Sequence, residues 1–249
     1  MKVEAYRAAL HALKIWDPFL LDESGLPGPR ANLELVQAVA DEGDAALFKR
    51  YIALTSEQAP TNSREVFLAV CGVVGLGRLL ADGDIDQLIV LRKCASDPRW
   101  RIREGAAMAL QRWGEKDMDA LLRAMADWRT GNWLEQRAVV AALCEPKLLR
   151  EPKHAKRVLQ LLDKITTSVS KATDRKADDF KVLRQALGYG WSVAVAARPN
   201  EGRPLMEKWL AVDDRDARWI MRENLKKNRL AKMDAPWVES WNRRVAARH

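Results

Sequence analysis

Apolar residues along this chain recur at intervals of three and four rather than two. Ile102, Ala106, Ala109 and Leu110 form one such series, and Leu134, Ala138, Ala141 and Ala142 form another. That spacing puts side chains on one face of an α-helix. Read throughout, the pattern predicts helices near 2–15, 31–41, 43–57, 62–81, 84–95, 98–113, 117–128, 133–144, 152–169, 178–197, 203–211, 214–228 and 236–247. Most of the intervening loops are short, as paired helices prefer. Asp97-Pro98 places a carboxylate at an N-cap and a proline in the first turn, where its missing N–H costs nothing. Asn62-x-x-Glu65, Asp84-x-x-Gln87 and Asn132-x-x-Glu135 have the spacing of capping boxes, which satisfy amides that a helix start leaves without partners. Two segments break the rhythm. Ser24-Gly25-Leu26-Pro27-Gly28-Pro29 cannot be helical, and the polar stretch 167–176 reads as a mobile, solvated connector.

A longer period lies over the helical one. Arg64, Arg103, Arg137, Arg184 and Arg222 each open a short helix rich in small residues, at steps of 39, 34, 47 and 38. A unit of roughly 40 residues is one helix pair of the HEAT/armadillo kind, which buries its apolar faces only by stacking on neighbours. The expected fold is therefore all-α, a single α-solenoid of HEAT-like (armadillo-type) repeats over 1–249 with about six helix pairs. Residues 1–30 are expected to form an N-terminal helix and loop, 31–230 the repeats, and 231–249 a C-terminal helix. In such a stack, residues at one phase of each second helix line up along a single concave surface, and here that phase carries arginine.

With 48% hydrophobic and 31% charged residues, the chain is a globular protein rather than a disordered one. No run approaches 18 apolar residues, so no membrane span is expected. The start, Met1-Lys2-Val3-Glu4-Ala5-Tyr6, lacks the apolar core of a signal peptide, and a cytoplasmic location is expected. Cys71, Cys94 and Cys144 are odd in number and lie in apolar helical stretches, which points to buried reduced thiols. The net charge of +8 is uneven: residues 1–60 hold 6 Lys and Arg against 9 Asp and Glu, so the rest of the chain is strongly basic. A basic body of this kind is the electrostatic footprint of a nucleic-acid binder, or else a charged surface that keeps the protein dissolved.

Several chemistries find no support. His11, His154 and His249 are isolated, no Cys/His set has zinc spacing, and no phosphate-binding glycine loop or serine-hydrolase elbow occurs. Neither a metal nor another cofactor is expected. What remains is aromatic and basic. Of ten tryptophans, Trp100, Trp133, Trp191 and Trp219 lie close to the repeated arginines. Each could simply wedge between stacked helices. Trp100 and Glu104, four apart with Arg103 beside them, share one helical face and could instead cradle a planar cation.

Three stretches follow one another in a telling order: Trp100-Arg101-Ile102-Arg103-Glu104, then Asn132-Trp133-Leu134-Glu135-Gln136-Arg137-Ala138, then Phe180-Lys181-Val182-Leu183-Arg184-Gln185-Ala186-Leu187-Gly188-Tyr189, the last helix closing at Ala197-Arg198-Pro199. Together they resemble the AlkD-like family of bacterial DNA glycosylases of alkylation repair, which are built from HEAT-like repeats. The resemblance covers about residues 97–210. It implies a concave basic surface that grips duplex DNA and excises cationic N3- or N7-alkylated purines such as 3-methyladenine and 7-methylguanine. By that resemblance Trp100 and Tyr189 would supply ring faces, and Glu104 would stabilise the oxocarbenium ion and position water. Arg137 would clamp a phosphate, with Arg103, Arg184 and Arg222 extending the backbone contact. The chain departs from the family pattern in three places. Glu104 stands where the family has aspartate, Tyr189 where it has a second tryptophan (with Trp191 two residues on), and Arg99-Trp100 where it has a tryptophan pair. A reading of another class stays beside this one: a non-catalytic HEAT-repeat scaffold that binds a protein partner, or DNA without excision.

Overall fold

The helical period is realised throughout the described residues. The computed structural model describes residues 2–246, and among these it has fifteen α-helices, one 3-10 turn and no strand. His249 and Ala247, the last residue of the expected C-terminal helix, lie outside the described residues. None of the described helices is long and apolar enough to cross a membrane. The chain divides into two units, 1–117 and 118–249.

Unit 1 contains α1 (Lys2–His11), α2 (Asp17–Asp22), α3 (Leu33–Glu42), α4 (Ala45–Ile52), α5 (Val66–Ala81), α6 (Gln87–Ala95) and α7 (Trp100–Lys116). Helix α5 is apolar around nearly its whole circumference, as a helix enclosed by others must be. Helices α1, α3, α5 and α7 pack in succession, and α4 and α6 cover α5 and α7. Phe48, Tyr51 and Phe67 are sealed within this core. Burial of each such side chain stabilises by about 1.5–3 kcal/mol.

The first expected helix, 2–15, is shorter, and a helix outside the expected set follows it. Helix α1 stops at His11, the Trp16 indole N–H donates to the Leu10 carbonyl at 2.9 Å, and Pro18 then starts α2 in the first turn, where proline fits. The expected helices 43–57 and 62–81 are also shorter, because several carbonyls of residues 53–65 are held by distant side chains rather than by a continuous helical ladder. The buried Arg99 donates from Nη1 to the carbonyls of Leu54, Thr55 and Ala59 at 2.9, 3.2 and 3.3 Å. Arg101 reaches Thr61 and Gly28 in the same way. An unpaired buried carbonyl is costly, so two arginines replace a helix here. Asn62 therefore caps nothing: α5 begins after Glu65 with no side-chain cap. Asp97 accepts from the Arg99 amide at 2.8 Å, and α7 starts two residues later than expected. Gln87 donates to the Asp84 carboxylate instead of completing a capping box.

Unit 2 contains α8 (Met118–Trp128), α9 (Trp133–Leu143), a 3-10 turn (Pro146–Leu149), α10 (Pro152–Ser170), α11 (Asp178–Ala197), α12 (Pro199–Ala211), α13 (Arg215–Leu225), α14 (Asn228–Met233) and α15 (Ala235–Ala246). Two layers are plain. Helices α9, α11 and α13 pack in succession in one, and α8, α10 and α12 in the other. Asn132 caps α9 as expected, its Oδ1 accepting from the Glu135 amide at 2.8 Å. Pro199 opens α12 rather than delaying it to 203, and the short α14 was not anticipated. The segment after α10 is anchored and not loose. Arg175 donates to the carbonyls of Ser170 and Ala172 and to the carboxylates of Asp214 and Asp216, so every side of its guanidinium is engaged.

Four of the ten tryptophans wedge between helices, and of those near the repeated arginines only Trp191 does. Trp113, Trp128, Trp191 and Trp209 are buried, and the Trp191 indole N–H donates to Thr166 Oγ1 at 3.0 Å. The three cysteines are free thiols, Cys71 and Cys144 buried and Cys94 half-buried.

Candidate nucleic-acid interface

The sequence-predicted residues fall into two groups, one in each unit. Trp100, Arg103 and Glu104 share the first turns of α7 in unit 1. Trp100 is 43% exposed, and the Arg101 guanidinium lies 4.3 Å from its ring centre. Arg103 folds back along the helix, and its Nη1 donates to the carbonyls of Asp97 and Pro98 at 2.7 and 2.9 Å. It is thus a strut for the loop before α7. Glu104 is exposed one turn from Trp100, and it is not a free carboxylate.

The second group lies on α9, α11 and α13 of unit 2. Arg137 on α9 is only 8% exposed, which leaves it little surface to present to a phosphate. Arg184 on α11 donates to Asp216 at 2.6 Å and stacks on the Trp219 ring at 4.4 Å, joining α11 to α13. Asp216 has no exposure at all. Burial alone would push its carboxyl up, but hydrogen bonds from Arg184 and Arg175 outweigh that and hold it below the usual carboxylate value. Tyr189, also on α11, is 45% exposed, whereas Trp191 two residues on is fully buried and cannot substitute for it at a surface. The Arg229 and Lys227 side chains lie over the Tyr189 ring, 4.8 and 5.9 Å from its centre. Arg222 is exposed on α13.

Around Arg222 runs a feature that the repeat period did not single out. Arg215, Arg218 and Arg222 on α13 and Lys226 at its C-cap are spaced 3, 4 and 4, so they form one stripe on one helix face. Arg215, Arg222 and Lys226 are exposed and Arg218 partly so. The stripe is accompanied by acids: Arg215 lies 3.9 Å from Asp216, Arg218 meets Asp213 at 3.0 Å and Lys226 meets Glu223 at 2.5 Å, and Arg222 is not without a partner either. Exposed pairs of this kind are worth little and exchange readily for another anion. The signal is present in the sequence as a run of basic residues at helical spacing, masked by the more regular spacing of one arginine per repeat.

Charge follows the same division. Unit 2 carries 27 Lys and Arg against 17 Asp and Glu, a balance of +10, and unit 1 carries 15 against 17, a balance of −2. The net positive charge of the protein therefore comes from unit 2. Protein-family models, curated proteins and solved structures provide no match to the chain. What the surface can do must therefore be argued from its own chemistry. Among the described residues no three His, Cys, Asp or Glu side chains converge to hold a metal ion. The stripe suits anions repeated along a line, and its neighbour Tyr189 adds an exposed ring.

Proposed function

We propose that this is a HEAT-like repeat protein of the cytoplasm that binds DNA through α11 and α13 of unit 2 and does not excise bases. The stripe of Arg215, Arg218, Arg222 and Lys226 carries this reading. A helix rises 1.5 Å per residue, so the four cations are spread over about 16 Å at steps of about 4.5–6 Å. A line of charges at that scale complements the phosphates of a nucleic-acid strand, and the +10 balance of unit 2 favours their approach. Three observations support binding without excision. Arg101 stacks on Trp100, Arg229 and Lys227 lie over Tyr189, and Glu104 already has a partner. Rings that already carry cations are poor receivers for a positively charged purine.

Salt dependence tests the reading. Four neutralised phosphates on duplex DNA predict a log–log slope of about −3.6. Replacing Arg215, Arg218, Arg222 and Lys226 with Gln should flatten that slope by about 3 or more. A matched control replaces four exposed cations of the other layer and its flank, Lys147, Arg150, Lys156 and Lys164, and removes the same net charge. The control should keep the slope. Equal flattening by both variants would reduce the binding to diffuse charge, and no binding by the wild-type protein would end the proposal.

A further inference from the structure

We infer that Tyr189 is a stacking platform for an unpaired base, so that the α13 stripe preferentially takes single-stranded nucleic acid. This inference deepens the proposed function and rests on it.

Tyr189 is mounted unusually firmly for an exposed residue. It sits between Gly188 and Gly190 on α11, and each glycine lets a neighbouring side chain close in. A Cβ at Gly188 would press on the Trp219 ring of α13 at 3.2 Å, and one at Gly190 would fall 2.7 Å from Val140 of α9 and 2.9 Å from the sulfur of Cys144. Helices α9 and α13 therefore pack tightly beside the residues that flank Tyr189, and its own side chain is left outward. The hydroxyl is fixed as well, accepting from Arg229 Nη2 at 2.5 Å. Asn224, fully buried on α13, then locks α13 against this part of α11. Its Oδ1 accepts from the Ser192 amide at 2.7 Å, and its Nδ2 donates to the carbonyls of Leu187 and Ile220 at 2.8 and 2.7 Å. Helices α11, which carries the ring, and α13, which carries the stripe, are thus held in one register.

An exposed, pre-oriented ring beside a line of cations is the combination that single-strand binders use. The cations follow the backbone, and the ring stacks a base of any sequence. Arg229 and Lys227 draw on the π-density of the ring, which makes it a better partner for a neutral, electron-rich nucleobase and a worse one for a cationic base. Almost half of Tyr189 remains exposed even with these two side chains in place. In a closed duplex the bases are already stacked on one another, and the ring has no face to meet. DNA and RNA share the chemistry of an unpaired base, and the experiment separates them.

The test measures fluorescence anisotropy with oligo-dT, oligo-U and a perfect DNA duplex of equal length, titrated with wild type, Tyr189→Leu and Tyr189→Phe. The wild-type protein should bind a single strand more tightly than the duplex. Tyr189→Leu should lose roughly 10-fold or more on the single strand, the scale of one stacked base, with little change on the duplex. Its salt slope should stay at the wild-type value, because no phosphate contact is removed. Tyr189→Phe keeps the ring and should keep the affinity. Preference for oligo-U over oligo-dT would identify RNA as the source of the strand, and the reverse would identify DNA. Equal wild-type affinity for strand and duplex, or an unchanged Tyr189→Leu, overturns the stacking inference while the backbone reading stands. No binding to any of the three overturns both and leaves the surface to an acidic protein partner.

Discussion

Replacing Asp216 with asparagine would keep the shape of the side chain and remove its charge. The carboxylate is completely buried and accepts from Arg184 at 2.6 Å and Arg175 at 3.1 Å. Removing one member of a buried ion pair generally costs about 3–5 kcal/mol, because the other charge is left uncompensated. Here both guanidiniums are about a quarter exposed and Arg175 keeps Asp214, so hydration recovers part of the loss. The expected destabilisation is the lower end, about 2–3 kcal/mol. At a urea m-value near 2 kcal/mol/M that is a midpoint shift of about 1–1.5 M. The effect has a pH signature. The folded-state carboxyl is held below its unfolded value, so its contribution is fully present above the unfolded carboxylate value near 4 and is lost as pH falls through the folded one. Urea midpoints of wild type and Asp216→Asn should therefore differ at pH 7 and converge in acid. A shift of less than about 0.5 kcal/mol at pH 7, the size of an ordinary surface change, would refute the view that this carboxylate joins α11 to α13.

Two further outcomes are expected. Incubated with methylated duplex DNA, the wild-type protein should release no 7-methylguanine by chromatography; release that disappears in Glu104→Gln would restore the glycosylase reading. In unit 1, Arg99→Ala should remove the donor to three loop carbonyls and destabilise by about 2–4 kcal/mol, and limited proteolysis should then cleave within residues 53–65 faster than in the wild type. Unchanged cleavage would mean that water satisfies those carbonyls equally well.

Helix type and position were legible wherever the period was long and the ends chemically marked. Asn132 and its capped amide set the start of α9, and the long apolar series of α10 and α11 were read to within a residue or so. The misreadings share a cause: long-range side chains did work that local patterns assign to neighbours. Nothing near residues 53–65 announces that Arg99 and Arg101, some forty residues away, hold their carbonyls. Likewise the polar segment after α10 reads as loose until Arg175 is seen bound to Asp214 and Asp216. For the surface, one arginine per repeat was the visible regularity, yet the roles diverge. Arg103 braces a loop, Arg137 is buried, Arg184 is tied to Asp216, and Arg222 alone of the four belongs to the exposed stripe. Phase along a helix can be read from sequence, but commitment to an internal partner cannot.

The Ser192 amide donates to the side chain of Asn224 on the neighbouring helix. Its hydrogen therefore has an acceptor on α13 in addition to its place within α11, so the seating of α13 bears on its isotope exchange. A single backbone site thus becomes a clock for one docking event. If a strand lifts α13 as it binds, deuterium uptake at Ser192 should quicken while its helical neighbours keep their rates, and if it seats α13 more firmly the uptake should slow.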